Sequence, residues 1–313
     1  MSSPATRAAP AELAGWLKAQ ALAEGATLAG LADPRAPILQ AAQVASWSRE
    51  GLHGPMAWWP RGDEQRLDPR RLLPGARSLL MIGVAYDGGL ELPEPPAVRI
   101  SRYALGRDYH RVLKGLLRRV MQRVEERLGQ VAWRACVDTA PLLERYWAWQ
   151  AGLGWIGKNC LLIHPRHGSW LFLGGLLLEL ELPADQPHPE RCGRCTACLE
   201  SCPVQAFRGP GRLDAARCIS AQTIENRHAE LPDFMRPMPG RWLFGCDDCQ
   251  TVCPWNRRAG EGSPALAADP ALLERLRHGP WPDDDSAWDE LTRGKALRRM
   301  TPVMYRRNLR GLR

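Results

Sequence analysis

The 313-residue sequence predicts an α+β chain in three parts, and three observations carry that expectation. Segments of helical and strand periodicity alternate through the first 185 residues, without the strict strand–helix repeat of a parallel sheet. Eight cysteines crowd between Cys192 and Cys253, and the last stretch is basic and mostly helical. The divisions fall at 1–185 for an N-terminal α/β domain, 186–260 for a cysteine domain and 261–313 for the tail.

Residues 10–24 carry the spacing of an amphipathic helix. Residues 78–86 form an apolar run of strand length that closes on Asp87-Gly88-Gly89, and a link rich in proline follows at Pro93, Pro95 and Pro96. The stretch 108–128 is the clearest helix. Its Leu113, Leu116, Leu117, Val120, Met121, Val124 and Leu128 recur at helical spacing, and Gly129 stops it. Val131 to Val137 reads as a short strand ending at Asp138, and 141–151 as a helix. Residues 160–164 and 169–182 read as the two strands of a hairpin turning near Pro165 to Gly168. A stretch rich in proline and histidine, 183–190, then leads into the cysteines.

Those cysteines form a ladder with one rung displaced. Cys192, Cys195, Cys198 and Cys202, followed by Pro203, make C-x2-C-x2-C-x3-C-P without deviation. The second run ends the same way, at Cys246, Cys249, Cys253 and Pro254, but lacks a cysteine three residues before Cys246; Cys218, 28 residues upstream, is the replacement. A ladder of this kind holds two [4Fe-4S] clusters, the fourth cysteine of each run crossing to the other cluster. The expected ligand sets are Cys192, Cys195, Cys198 and Cys253 for the first cluster, and Cys202, Cys218, Cys246 and Cys249 for the second. The middle domain is therefore read as ferredoxin-like. Zinc knuckles need neither the third cysteine nor the closing Cys-Pro, and disulfide scaffolds belong to small secreted chains. Cys136 and Cys160 fall outside the ladder and read as small apolar residues.

The formal net charge of +8 favours a polyanionic partner such as nucleic acid. From Leu291 onward there are eight basic residues and no acid: Arg293, Lys295, Arg298, Arg299, Arg306, Arg307, Arg310 and Arg313. Nothing within that stretch neutralises them. A second stripe runs through Arg107, Arg111, Lys114, Arg118, Arg119, Arg123 and Arg127. Met1 to Gly25 does not read as a signal peptide, and the longest apolar run, Trp170 to Leu178, is too short to span a bilayer. Free thiols also need a reducing compartment. The expectation is a cytoplasmic monomer without membrane contact.

In the first domain, Gly152, Gly154 and Gly157 match G-x-G-x-x-G, but a helical segment precedes them and a strand follows. That inverts the dinucleotide-binding context and leaves an open loop, with Lys158 and Asn159 beside it. Asp138, where a strand gives way to a helix, has two readings: an N-cap of the helix that Pro141 opens, or a proton donor whose pKa an apolar wall raises. His110 likewise reads as structural or as a ligand. The 13 tryptophans fit a core or the wall of a planar ligand site.

Five motifs in order now resemble one family. They are Arg102-Tyr103-Ala104 through His110, Val137-Asp138 through Glu144-Arg145, Ala151 through Lys158, Cys218 through Thr223-Ile224-Glu225, and Gly245-Cys246 through Asn256-Arg257. Across roughly residues 50–258 the chain is similar to epoxyqueuosine reductase, the cobalamin-dependent iron–sulfur enzyme of tRNA queuosine synthesis. The resemblance implies electrons passing through the two clusters to cobalamin, bound between the α+β and ferredoxin-like domains, and reduction of the epoxide at the tRNA wobble position. It implies Asp138 as proton donor to the departing oxygen. It further implies cobalamin contacts from Arg61, Arg102, Tyr103, Asp138, Lys158, Asn159, Ser169, Thr223, Glu225, Asp247 and Asp248, and an external donor such as flavodoxin or ferredoxin. Because Leu113 replaces the glycine of D-x-H-x-x-G, it implies cobalamin without a protein histidine on cobalt. The sequence departs from the family at Asn159-Cys160, His228 and Ala85. The basic tail is expected to share in tRNA docking. The rival readings are a reductive dehalogenase-like enzyme and a ferredoxin-type electron carrier.

Overall fold

The computed structural model describes residues 9–86 and 98–312. The expected turn at Asp87-Gly88-Gly89, the proline link at Pro93 to Pro96, and Arg313 lie outside the described residues. The first part is built on one four-stranded sheet in the spatial order Leu28–Ala32, Ser78–Ala85, Leu171–Leu178, Trp133–Cys136, each neighbour antiparallel. Every residue of Ser78–Ala85 is buried, which explains its unbroken apolar run: a strand covered on both faces needs no polar alternation. The two faces separate with period two. Leu80, Ile82 and Val84 meet the helices Pro10–Ala23 and Tyr109–Leu128, whereas Leu79 and Met81 meet the helix Glu144–Gln150. Cys136 is wholly buried in the second of these cores, among Trp147 and Leu177.

The long helix forms as its periodicity requires. The Asp108 side chain caps its start by accepting the backbone N–H of His110 at 3.0 Å, and Gly129, at φ +78°, ends it. The hairpin is corrected. Leu162–Ile163 pairs with Trp155–Ile156 rather than with Leu171–Leu178, and the reversal at His164 to Gly168 survives only as an isolated bridge. Leu171–Leu178 is apolar on both faces, so it is drawn to the sheet interior between two other strands. The G-x-G-x-x-G segment serves this short hairpin: a Cβ on Gly154 would lie 2.2 Å from the Ile163 carbonyl oxygen.

The remainder packs on a third core. Val204, Ile219, Leu243 and Phe244 from the cysteine region join Leu272, Trp288, Leu297, Met304 and Tyr305 from the tail, and Val98, Ile100 and Leu105 from the first part. The helices Pro270–His278, Asp285–Thr292 and Pro302–Gly311 are thus bound into the molecule. This corrects the expectation that the tail's charge stands alone. Arg299 pairs with Glu225, Lys295 with Asp269, Arg298 with Asp289 and Arg306 with Asp285. Arg307 is 3% exposed and gives its guanidinium to the carbonyls of Gln222, Asn226 and His228 and to the side chain of Asn308. Among the described residues no helix is long and apolar enough to cross a membrane.

Removing the buried Arg307 strands at least three carbonyls, so Arg307→Ala is expected to lower stability by about 3 kcal/mol. Arg298→Ala, at an exposed pair, should cost less than about 1 kcal/mol. Thermal denaturation of the two variants side by side checks the difference.

Candidate redox and catalytic site

The ladder cysteines gather in two groups of four. Short helices Ala197–Glu200 and Asp248–Thr251 carry a cysteine each and bring the two runs side by side. Cys192, Cys195, Cys198 and Cys253 line a cavity of about 40 Å³ together with Lys158, Asn159, Ile163, Pro254 and Trp255. The indole N–H of Trp155 points at the Cys192 sulfur, 3.4 Å away, and Lys158 Nζ donates to the carbonyls of Gly193 (2.7 Å) and Cys195 (2.9 Å). The other four face one another more deeply. Burial, then Cys218, Asp247, Cys198 and Cys202, pushes the Cys249 thiol up; burial, then Asp248, Cys218 and Cys249, does the same at Cys246. Among the described residues no three His, Cys, Asp or Glu side chains close on a point as a single ion requires. Thiols set around a void suit a cluster. A larger cavity, about 380 Å³, lies apart, lined by Leu231, Arg236, Arg307 and Arg310, and holds none of this chemistry.

A second set of groups collects around Asp138. The helix after it begins only at Glu144, capped by Leu143, so the N-cap reading of Asp138 is set aside. Asp138 instead sits at φ +52° in the turn beyond Trp133–Cys136, a left-handed conformation that non-glycine residues rarely adopt. Its side chain is 58% exposed although protein atoms surround most of it, so the carboxylate stands in an open cleft. His110 Nε2 lies 3.0 Å from Asp138 Oδ2 and Nδ1 lies 2.7 Å from Asp108 Oδ1. Burial opposes charging this ring, but the hydrogen bonds to Asp108 and Asp138 outweigh it and push His110 up to about 9. Burial likewise favours a neutral Asp138, but His110, the Tyr109 hydroxyl and Arg299 together hold it below the ordinary value of 3.8. The expected raised pKa is therefore corrected: the pair's proton rests on the imidazole.

Glu144 shows the opposite behaviour. Burial pushes its carboxyl up to about 8, the charge of Asp138 acts in the same direction, and Oε1 has no partner. The sequence named Glu144 within a motif without giving it this task. Tyr109, Arg299 and Trp58 were also missed, because each reaches the cleft from a distant part of the chain.

The expected cofactor contacts divide into two groups. Tyr103 packs on Tyr109, Phe172 and Phe244, and burial, then Asp138, pushes its phenol up. Arg102 lies over the Trp170 ring at 5.4 Å. Glu225 accepts from Trp58 Nε1 at 3.0 Å and pairs with Arg299 at 2.6 Å, while Arg61 is exposed two residues beyond Trp59. Tyr103 and Glu225, with its partners Trp58 and Arg299, stand around Asp138, whereas Arg61 makes no contact among the described residues that places it there. The others turn inward. Thr223 Oγ1 accepts from Gly245 N, Asp247 accepts the Arg102 N–H, Asn159 donates to the Cys249 carbonyl, and Ser169 binds Gln250 and Asn256. Asp248 accepts from Trp242, and Lys158 braces the first cluster's loop. The cleft thus offers Trp58, itself 40% exposed, and a ring of polar side chains. That suits a large planar group edged with amides, as cobalamin is. His110, with a carboxylate on each ring nitrogen, is not free to ligate a metal.

A family model for a 4Fe-4S double cluster binding domain matches residues 191–256, and one for epoxyqueuosine reductase QueG matches residues 66–139. An epoxyqueuosine reductase of Synechococcus sp. (strain CC9605) is 44% identical over 93% of this chain and 92% of its own. The chain belongs to the epoxyqueuosine reductase family. As a member it uses two [4Fe-4S] clusters and cobalamin. A solved epoxyqueuosine reductase with an epoxyqueuosine-modified tRNA-Tyr stem loop matches 96% of this chain and 80% of its own, with TM-score 0.81 and 28% identity. The Bacillus subtilis enzyme, solved with its aspartate catalytic loop swung out of the active site, matches 96% and 81% of the two chains at TM-score 0.83 and 27% identity.

Two pH dependences follow. With His110 raised, its contribution to stability is full below about 6.5 and fades as pH climbs through about 9; with Asp138 lowered, its contribution is present above 3.8 and is lost on acidification. His110→Gln should therefore cost most stability near pH 5 to 6 and little above about 9, as thermal melts across pH would record. Glu144 has the reverse sign. Wild type should lose stability relative to Glu144→Gln as pH rises from 4.5 toward about 8, and urea denaturation at both ends of that window checks it.

Proposed function

We propose that this chain reduces epoxyqueuosine to queuosine at the wobble position of tRNA, acting as a cytoplasmic monomer fed by an external one-electron carrier such as flavodoxin or ferredoxin. The observation that carries the reading is the Asp138–His110 pair, 3.0 Å apart in an open cleft beside the second cysteine group, in a chain of this family. The reaction opens the three-membered ring and expels its oxygen as water, consuming two electrons and two protons. Bound cobalamin supplies the reducing equivalents at carbon, and Arg61, Arg102, Tyr103 and Glu225 would hold it. Cys192, Cys195, Cys198 and Cys253 ligate the first cluster, and Cys202, Cys218, Cys246 and Cys249 the second.

The protein's own part is proton supply and orientation. An alkoxide is a poor leaving group, so a positioned acid gives rate where it neutralises the departing oxygen. Asp138 reaches into the cleft and His110 behind it carries the proton. Transfer through the carboxylate to the oxygen leaves His110 neutral and ready to be charged again, with Asp108 holding its tautomer. We read the segment 138–143, which carries Asp138, as the counterpart of the aspartate catalytic loop that is swung out in the Bacillus subtilis enzyme. Of the expected stripe, Arg119, Arg123 and Arg127 pair with Glu24, Glu126 and Glu12, whereas Arg107, Arg111, Lys114 and Arg118, without carboxylate partners among the described residues, supply charge for the tRNA backbone beside this cleft.

Asp138→Asn is expected to cut turnover by about 100-fold or more while leaving iron and corrinoid content intact. An anaerobic assay of queuosine formation, with about eight irons per chain and corrinoid measured on the same sample, tests it. A wild-type rate in Asp138→Asn removes the aspartate from the mechanism. Absence of any base conversion by the fully loaded enzyme removes the function.

A further inference from the structure

The two cysteine groups differ in how they meet solvent. Cys195 is exposed, as are its neighbours Gly193, Arg194 and Thr196, whereas none of Cys202, Cys218, Cys246 and Cys249 is exposed. The deeper group also adjoins the Asp138 cleft. Asp247, next to Cys246, accepts the Arg102 amide, and Glu225, at the end of the helix that Cys218 begins, pairs with Arg299, whose charge reaches Asp138. The first group therefore lies at the outer end of the wire and the second at the substrate end.

That outer end carries more positive than negative charge. Arg191 and Arg194 flank Cys192 and Cys195 in the chain, and Arg257 and Arg258 follow Trp255, which lines the same ligand cavity as Cys253. All four arginines are exposed, and none has a carboxylate partner among the described residues. Two carboxylates lie nearby and keep their charge, but neither pairs with these arginines: Glu190 accepts the Cys192 amide, and Glu200 accepts from the Thr196 hydroxyl. Lys158 adds a further positive charge behind the loop. Arginines left unpaired around the one exposed ligand of an electron-transfer centre steer an anionic surface to it.

We propose that the Arg191, Arg194, Arg257 and Arg258 collar is the docking surface for an acidic one-electron carrier protein, delivering electrons to the first cluster at the Cys195 edge. This rests on the reductase reading above. It assigns the exposed collar to the carrier and leaves the tRNA to the cleft side, where the long helix presents its own basic stripe. Each encounter passes one electron: the carrier is oxidised by one and the cluster reduced by one, with no bond made or broken. Two such encounters supply one epoxide reduction.

The test measures bleaching of the oxidised clusters in stopped flow, in holoenzyme without tRNA, so it reads separately from base conversion. A reduced acidic [2Fe-2S] ferredoxin is the protein donor and dithionite the small one. In wild type the ferredoxin rate should fall steeply as salt rises. Arg191→Glu with Arg194→Glu, and separately Arg258→Glu, should each slow it by about 10-fold at low salt and flatten the salt dependence. The dithionite rate, iron content and tRNA affinity should stay within about twofold of wild type. A salt-insensitive ferredoxin rate in wild type overturns the proposal, as does weakened tRNA binding in the variants with an unchanged ferredoxin rate, which would make the collar a nucleic-acid surface. Equal loss with both donors would also overturn it, by placing the arginines in cluster assembly.

Discussion

Cys218 can serve the same cluster as Cys246 only if residues 219–245 fold back until their two ends meet, and the closure of that loop is the constraint on which the rest of the molecule depends. Three buried contacts make it. Thr223 Oγ1 accepts the Gly245 N–H at 3.0 Å, and Asn308 Nδ2 donates at 3.0 Å to both the Thr223 and the Leu243 carbonyls. Arg307 ties down the carbonyls of Gln222, Asn226 and His228. Gly245 is required for a steric reason as well: at φ +71° a Cβ there would lie 2.1 Å from Ser101 Oγ. Closure then propagates, because Trp242–Phe244 runs parallel to Arg99–Ile100 and delivers Ser101, Arg102 and Tyr103 to the cleft edge. Cluster ligand and cofactor wall are set by one knot of hydrogen bonds. The knot is fastened from the tail, since a buried guanidinium and amide satisfy backbone groups that water cannot reach there.

The cleft beyond this knot holds two carboxyl groups in opposite states. Asp138 and Glu144 are six residues apart, yet one is kept charged by the imidazolium, phenol and guanidinium around it, and the other is kept neutral by burial at about 8. Environments that drive neighbouring acids apart in this way assign separate tasks to each. Here the charged group faces the cleft and the neutral one lies behind the backbone that carries it. Glu144 lies near the left-handed turn at Asp138, where an ionised carboxylate would repel that of Asp138.

What the sequence made legible was whatever depends on near neighbours in the chain. Cysteine spacing, the heptad-like run from Leu113 to Val124 and the buried strand at 78–85 could be read because their signals are local. The hairpin partner could not, since the apolar run at 171–178 says that a strand exists and not which strand lies beside it. The tail charges misled for the same reason. Their neutralising acids, Glu225 and Asp269 among them, come from segments that only folding brings near. Asp138 stayed divided between cap and acid until the helix start at Glu144 and the ring of His110, 28 positions away, were in place.

The asymmetry of the two cysteine groups gives the fold a direction. A cluster that must exchange electrons with a separate protein needs an edge at the surface, because transfer falls off with distance through protein. One that serves a water-sensitive reduction gains from being sealed. Crossed fourth cysteines would serve both demands: Cys253, itself buried, would return to the run that holds the exposed Cys195, and Cys202 would reach the group in which no thiol is exposed. The crossing also locks the spacing between the two sites, since neither ligand set can move without drawing on the other. Displacing one rung to Cys218 keeps that lock and adds a segment, Ile219 to Glu225, whose far end stands at the cleft beside Arg299. The outer edge can therefore meet its partner away from the cleft where the epoxide is reduced.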